Sequence, residues 1–183
     1  NIQLIDDDDN IIMKEKWEAE NQSRRETDWN LPQKEIARQI FLKPNIRIIS
    51  SILTREIFER IGGFKQQFFG GEDETFWYEI AINGKIGFID KVLFYRRNHV
   101  SNTVEKFKIE RLKGYILSMK YIEENYKPRL SNFSINLKRK SLYKQILKAS
   151  FYRKEYLILF KYATILFVTD PSFIFKYFSR KGY

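Results

Sequence analysis

Apolar and polar positions alternate in blocks that predict a short run of strands followed by helices. Ile2 to Ile5 form an apolar strand, and Asp6 to Asn10 a turn before Ile11, Ile12 and Met13. Asp and Asn favour tight turns and tolerate left-handed backbone, so a hairpin is expected here. Residues 14–31 are polar apart from Trp17 and Trp29, a pattern that predicts a mobile loop or a short helix. Helical spacing returns over Gln33 to Leu42, with Ile36, Ile40 and Phe41 on one side and Pro44-Asn45 as the stop. Ile46 to Leu53, rich in β-branched residues, reads as a buried strand. Thr54 is placed to cap a helix carrying Ile57, Phe58 and Ile61, which ends at Gly62-Gly63.

After Gly70-Gly71 comes a third helix. Three acids, Glu72, Asp73 and Glu74, open it, Phe76, Trp77, Ile80 and Ala81 share its apolar side, and Asn83-Gly84 end it. Ile86 to Ile89 and Val92 to Tyr95 are expected as short strands joined by Asp90-Lys91. Beyond Val104 the pattern is helical throughout. Phe107, Leu112, Tyr115, Ile116, Met119 and Ile122 recur at threes and fours, and Lys127-Pro128 closes that helix. Ser141 to Tyr152 and Glu155 to Thr169 predict two more, before Asp170-Pro171 and an aromatic tail.

Charge divides the chain where the helical pattern begins. Residues 1–105 hold 15 basic and 18 acidic side chains, and residues 106–183 hold 18 basic and 5 acidic. The balance of −3 in the first part and +13 in the second predicts two regions, 1–105 and 106–183, with different partners. The apolar run Tyr156 to Val168 is shorter than the roughly 20 residues that span a bilayer. A basic, aromatic-rich helical tail suits an anionic membrane surface. It equally suits a bundle packed on the first region or on a second copy. Apolar residues at 43% exclude a disordered chain, and the absence of cysteine excludes disulfides, thiol nucleophiles and thiolate metal sites. A pI near 9.6 raises nucleic-acid binding as an alternative, but the positive charge is confined to the tail and no nucleic-acid motif accompanies it.

Candidate chemistry gathers around residues 70–80. Gly70 and Gly71 let the backbone turn sharply and let a substrate approach the main chain. Glu72 and Asp73 sit where a helix N-terminus favours negative charge, which is expected to keep them ionised. There they serve either as caps or as proton acceptors for a bound hydroxyl. Trp77 is either core or a platform for a sugar face. The four aspartates 6–9 are either a turn or ligands for a hard cation. Arg96 and Arg97 are candidate diphosphate donors, and His99, the only histidine, is a candidate metal ligand.

Taken in order, Ser50-Ser51, Arg55, Gly62-Gly63-Phe64, Gly70-Gly71-Glu72-Asp73, Gly84-Lys85 and Tyr95-Arg96-Arg97-Asn98-His99 resemble the second half of the catalytic domain of family 2 glycosyltransferases. The likeness covers about Ile2 to Thr103. It implies an α/β fold: a partial GT-A domain lacking its nucleotide-binding half, followed by an α-helical region. The family's Asp-x-Asp motif belongs before Asn1, so a fragment of a longer protein is expected. The resemblance implies an inverting enzyme that moves a sugar from a nucleotide-sugar donor to a glycan acceptor, in the cytoplasm or on the inner face of the membrane. In it Asp73 is the general base, Glu72 orients Asp73 or the acceptor, and Gly70, Gly71, Trp77, Arg96 and Arg97 bind substrate. His99 completes the coordination of Mn²⁺ or Mg²⁺. Two departures stand out: an extra residue in the segment ending at His99, and Glu79 where the family often has arginine. The alternatives are a non-catalytic interaction or membrane-surface module, with a homo-oligomer among its forms, and the nucleic-acid module.

Overall fold

The computed structural model describes residues 1–6, 8–12, 15–97, 107–126 and 130–171. Helices dominate them. The strands are β1 (Ile2–Ile5), β2 (Ile11–Ile12) and β3 (Phe94–Arg97). The helices are α1 (Glu15–Glu26), α2 (Gln33–Leu42), α3 (Arg55–Ile61), α4 (Glu72–Asn83), α5 (Lys108–Tyr126), α6 (Asn132–Tyr152) and α7 (Tyr156–Thr169).

The sheet has the order β2-β1-β3. β1 pairs antiparallel with β2, Leu4 facing Ile12, and parallel with β3, Ile2 facing Phe94. The aspartate run between β1 and β2 makes a turn. Asp6 Oδ1 accepts from the backbone N–H groups of Asp8 and Asn10, and Asp9 takes a positive φ of 65°. Parallel pairing requires a long crossover, and α1 to α4 lie within it.

α1 occupies residues expected as a loop or short helix. Its weak apolar pattern is offset by polar ties that composition does not reveal. Asn21 pairs its amide with both backbone groups of Ile2, and the buried Arg24 donates to Asn21 Oδ1 and to the carbonyl of Asn45. Trp29 donates to the Arg24 carbonyl and stacks on Phe88, ring centroids 5.8 Å apart.

Two strand expectations fail. Over Ile46 to Leu53 the chain instead forms a 3-10 turn, Ile48–Ser50, with Ile52 88% exposed. The hydroxyls of Ser50 and Ser51 both donate to the Arg47 carbonyl, giving the backbone a local alternative to a ladder. No described strand runs beside it. Ile86 to Ile89 is irregular, and the second strand begins at Phe94 rather than Val92. There the carboxylate of Asp90 takes Asn1 Nδ2 and Arg25 Nε, so polar tethers, not pairing, hold the segment.

α4 sits at the centre. Every residue from Thr75 to Ile82 is buried, because α2, α3 and α5 all pack against it. α6 packs on α5 and on α2, and α7 packs on α6 across the three-residue connection 153–155. One buried apolar cluster runs from Ile36 on α2 to Leu166 on α7, through both regions that the charge pattern separates.

Candidate functional site

The N-terminus of α4 is held by close backbone packing. Gly70 has φ +84°, and Gly71 stands at the N-cap without a side chain to offer. A Cβ on Gly70 would lie 2.7 Å from the Arg111 side chain, and one on Gly71 would lie 2.8 Å from the Gly114 carbonyl oxygen. On Gly114 itself it would meet the carbonyl oxygen of Phe69 at 1.8 Å. The glycines expected to admit a substrate are therefore closed over by α5. Thr75 Oγ1, hydrogen-bonded to Ser118 Oγ at 2.5 Å, locks the same contact.

This packing sets the three acids in different surroundings. Asp73 lines a cavity of about 250 Å³ with Arg47, Glu74, Trp77, Tyr115 and Lys138 among its walls. That is a little under the ~300 Å³ at which typical ligand pockets begin, and suits a group the size of one sugar ring. Asp73 Oδ1 accepts the Glu74 N–H at 2.9 Å inside the first turn, while the N-cap Gly71 makes no side-chain capping bond. Burial, then the neighbouring charge of Glu72, raises its pKa, against the Glu74 N–H and the charges of Arg47 and Arg111. Glu74 is also raised, by burial first, although Lys138 Nζ lies 2.9 Å from its Oε2. At Asp73 and Glu74 burial therefore works against the helix N-terminus and raises both pKa values. Glu72 does not line the cavity. Its Oε2 is buried with no hydrogen-bond partner among the described residues.

Trp77 is core, only 6% exposed, with its ring against Phe76 at 5.2 Å. It forms the partition between the Asp73 cavity and a larger one of about 480 Å³, lined mainly by apolar groups such as Trp29, Ile57, Phe88 and Leu93. Its Nε1–H has no partner among the described residues.

Other expected site residues lie elsewhere. Arg97 donates to the Asp6 carbonyl and pairs with Asp9, so the β1–β2 turn takes the cation assigned to a diphosphate. Arg96 lies beside it on β3 and lines neither cavity. His99 falls outside the described residues. Among those described, no group of three or more His, Cys, Asp or Glu is placed to hold a metal ion, and Asp7 of the aspartate turn lies outside them. The described side chains thus do not by themselves form a divalent-metal site.

Sequence reasoning missed Arg47, Tyr115 and Lys138. Burial raises the Tyr115 phenol to about 12, and Arg111 donates to its hydroxyl at 2.9 Å. Lys138 had a legible signal: it stands three residues after Ile135 and four before Leu142, inside the buried stripe of α6. A lysine in that register calls for a buried carboxylate, and Glu74 is its partner. Glu79, one departure from the family pattern, is buried. It accepts from Lys65 at 2.5 Å and from the hydroxyls of Tyr121 and Tyr126, both at 3.0 Å, tying the loop before α4 to α5.

Among the described residues no helix is long and apolar enough to cross a membrane. Comparison of the chain with family models, with curated proteins and with solved structures gave no match in any of the three.

Proposed function

We propose that the protein acts as an inverting glycosyltransferase of the family 2 kind, with Asp73 as the general base. The observation that carries this reading is the half-buried Asp73 carboxylate on the wall of a sugar-sized cavity, its pKa pushed upward by burial. A base works best when its pKa approaches the working pH.

In this reading the acceptor hydroxyl enters beside Asp73 and gives its proton to the carboxylate as its oxygen bonds to the anomeric carbon. The bond from that carbon to the nucleoside diphosphate breaks on the opposite face, and its electron pair leaves with the diphosphate. The configuration inverts. The positive charges of Arg47 and Arg111 favour the ionised form of Asp73 against its burial, and Trp77 and Tyr115 supply apolar wall against which a sugar ring packs. Glu72 orients Asp73 through its charge rather than from the cavity wall. A divalent ion, when bound, offsets charge on the leaving diphosphate, and His99 is the residue that the resemblance offers for it.

Asp73→Asn in the natural full-length protein tests the assignment, using a panel of labelled sugar nucleotides. Transfer should fall by about a thousandfold while donor binding persists. Substantial turnover by the variant would reject the base.

A further inference from the structure

A helix that is apolar on every side is normally enclosed, and α7 is enclosed on one side only. It buries Tyr162 and Leu166 on α6, where the rings of Tyr143 and Tyr162 lie 5.4 Å apart. The opposite side meets no described neighbour that covers it: Leu157 is 89% exposed, Phe160 69% and Val168 73%, with Phe167 beside them. Positions 157, 160, 164, 167 and 168 fall on one helical face, so these side chains make a single stripe. Phe151 and Tyr152, at the end of α6 just before it, are exposed too.

The sequence around the stripe is basic. Between residues 140 and 170 the chain carries Lys140, Lys144, Lys148, Arg153, Lys154 and Lys161 against only Glu155 and Asp170. Lys148, Lys154 and Lys161 are exposed. At ~1.5 Å per residue the 14 residues of α7 reach roughly 21 Å, short of a hydrocarbon core of about 30 Å. The helix can lie in a membrane interface but not cross it.

We propose that this face of α7, with Phe151 and Tyr152, docks in the plane of an anionic phospholipid surface. The apolar stripe enters the boundary between headgroups and acyl chains, and the flanking lysines meet the lipid phosphates. Charge selects this occupant over a second copy of the chain. Two copies meeting through the same face would bring two basic stretches together, and like charges across an interface oppose association. The inference does not depend on the glycosyltransferase reading.

Sedimentation of the full chain with vesicles tests it, using phosphatidylcholine alone and phosphatidylcholine mixed with phosphatidylglycerol. The chain should pellet with the anionic vesicles, and release as salt rises. Leu157→Glu with Phe160→Glu should weaken that binding about tenfold or more. The melting temperature should hold, since both side chains are exposed. Lys148→Glu with Lys154→Glu should weaken binding to the anionic vesicles by a similar factor. Failure of the wild-type chain to pellet with anionic vesicles at low salt overturns the proposal. So does unchanged binding by the Leu157/Phe160 variant. If the wild type is a dimer that ignores vesicles, and that variant is a monomer, the occupant is a second copy and the proposal is equally rejected.

Discussion

Asp73, the proposed base, is costly to the fold. Its pKa is higher in the folded chain than in the unfolded one, so its ionised form destabilises the fold at neutral pH. That penalty fades as pH falls through the raised folded value toward the unfolded one. Asp73→Asn should therefore raise stability at neutral pH by about 0.5–1 kcal/mol, and the gain should vanish in acid. Urea titrations of both proteins across pH check this. An Asp73 held by a strong ion pair would behave in the opposite sense. Lys138 and Glu74 form the other decisive pair, both largely buried at 2.9 Å. Lys138→Met strands the Glu74 carboxylate and should cost about 3 kcal/mol, while Lys138→Met with Glu74→Gln should recover most of it. Equilibrium unfolding of the single and double variants separates a lost pair from a lost packing contact.

At the scale of elements, the junction of α4 with α5 holds the site in shape. Gly114 lies over the chain at Phe68 to Gly71, with no room for a methyl group. Gly114→Ala should push α5 away from the N-terminus of α4 and cost about 2 kcal/mol or more, read as a drop in melting temperature. Because α5 carries Tyr115 into the Asp73 cavity, the same variant should, on the proposed function, lose transfer beyond what its stability loss explains. α3 depends on a local device: Thr54 Oγ1 accepts the Ile57 N–H at 3.4 Å, and Gly62 closes the helix at φ +80°. Thr54→Ala should cost about 1 kcal/mol without touching the cavity, and so serves as a control for Gly114→Ala.

For the whole molecule, the buried cluster matters more than the charge boundary. α4 gains its burial from α2 and α3 on one side of residue 105 and from α5 on the other. The chain should therefore melt in one calorimetric transition, and a chain ending at residue 106 should lose cooperative unfolding because it leaves an apolar face of α4 uncovered. Two separate transitions would show the regions to be independent. The Asp73 cavity depends on this joint packing, since Asp73 and Trp77 come from one region and Tyr115 and Lys138 from the other.

Much of this was readable from the chain. β1, α2, α3, α4, α5 and the greater part of α6 and α7 follow from apolar spacing and from Thr54, Gly62 and Asn83-Gly84, because helix periodicity and caps are local properties. Asp6 to Asn10 likewise announced its own turn. Tertiary structure decided the rest. Ile46 to Leu53 has strand composition but no strand beside it, and a ladder needs a partner that composition cannot supply. α1 formed despite its polarity because Asn21 and Arg24 found backbone partners far along the chain. The surroundings of Asp73 were settled in the same way: its position on α4 was local, but the groups around it come from α2 and the segment after it, from α5 and from α6. Sequence determined which groups stand at the helix end. Only the packing of distant helices determined how much water, and how much opposing charge, those groups retain.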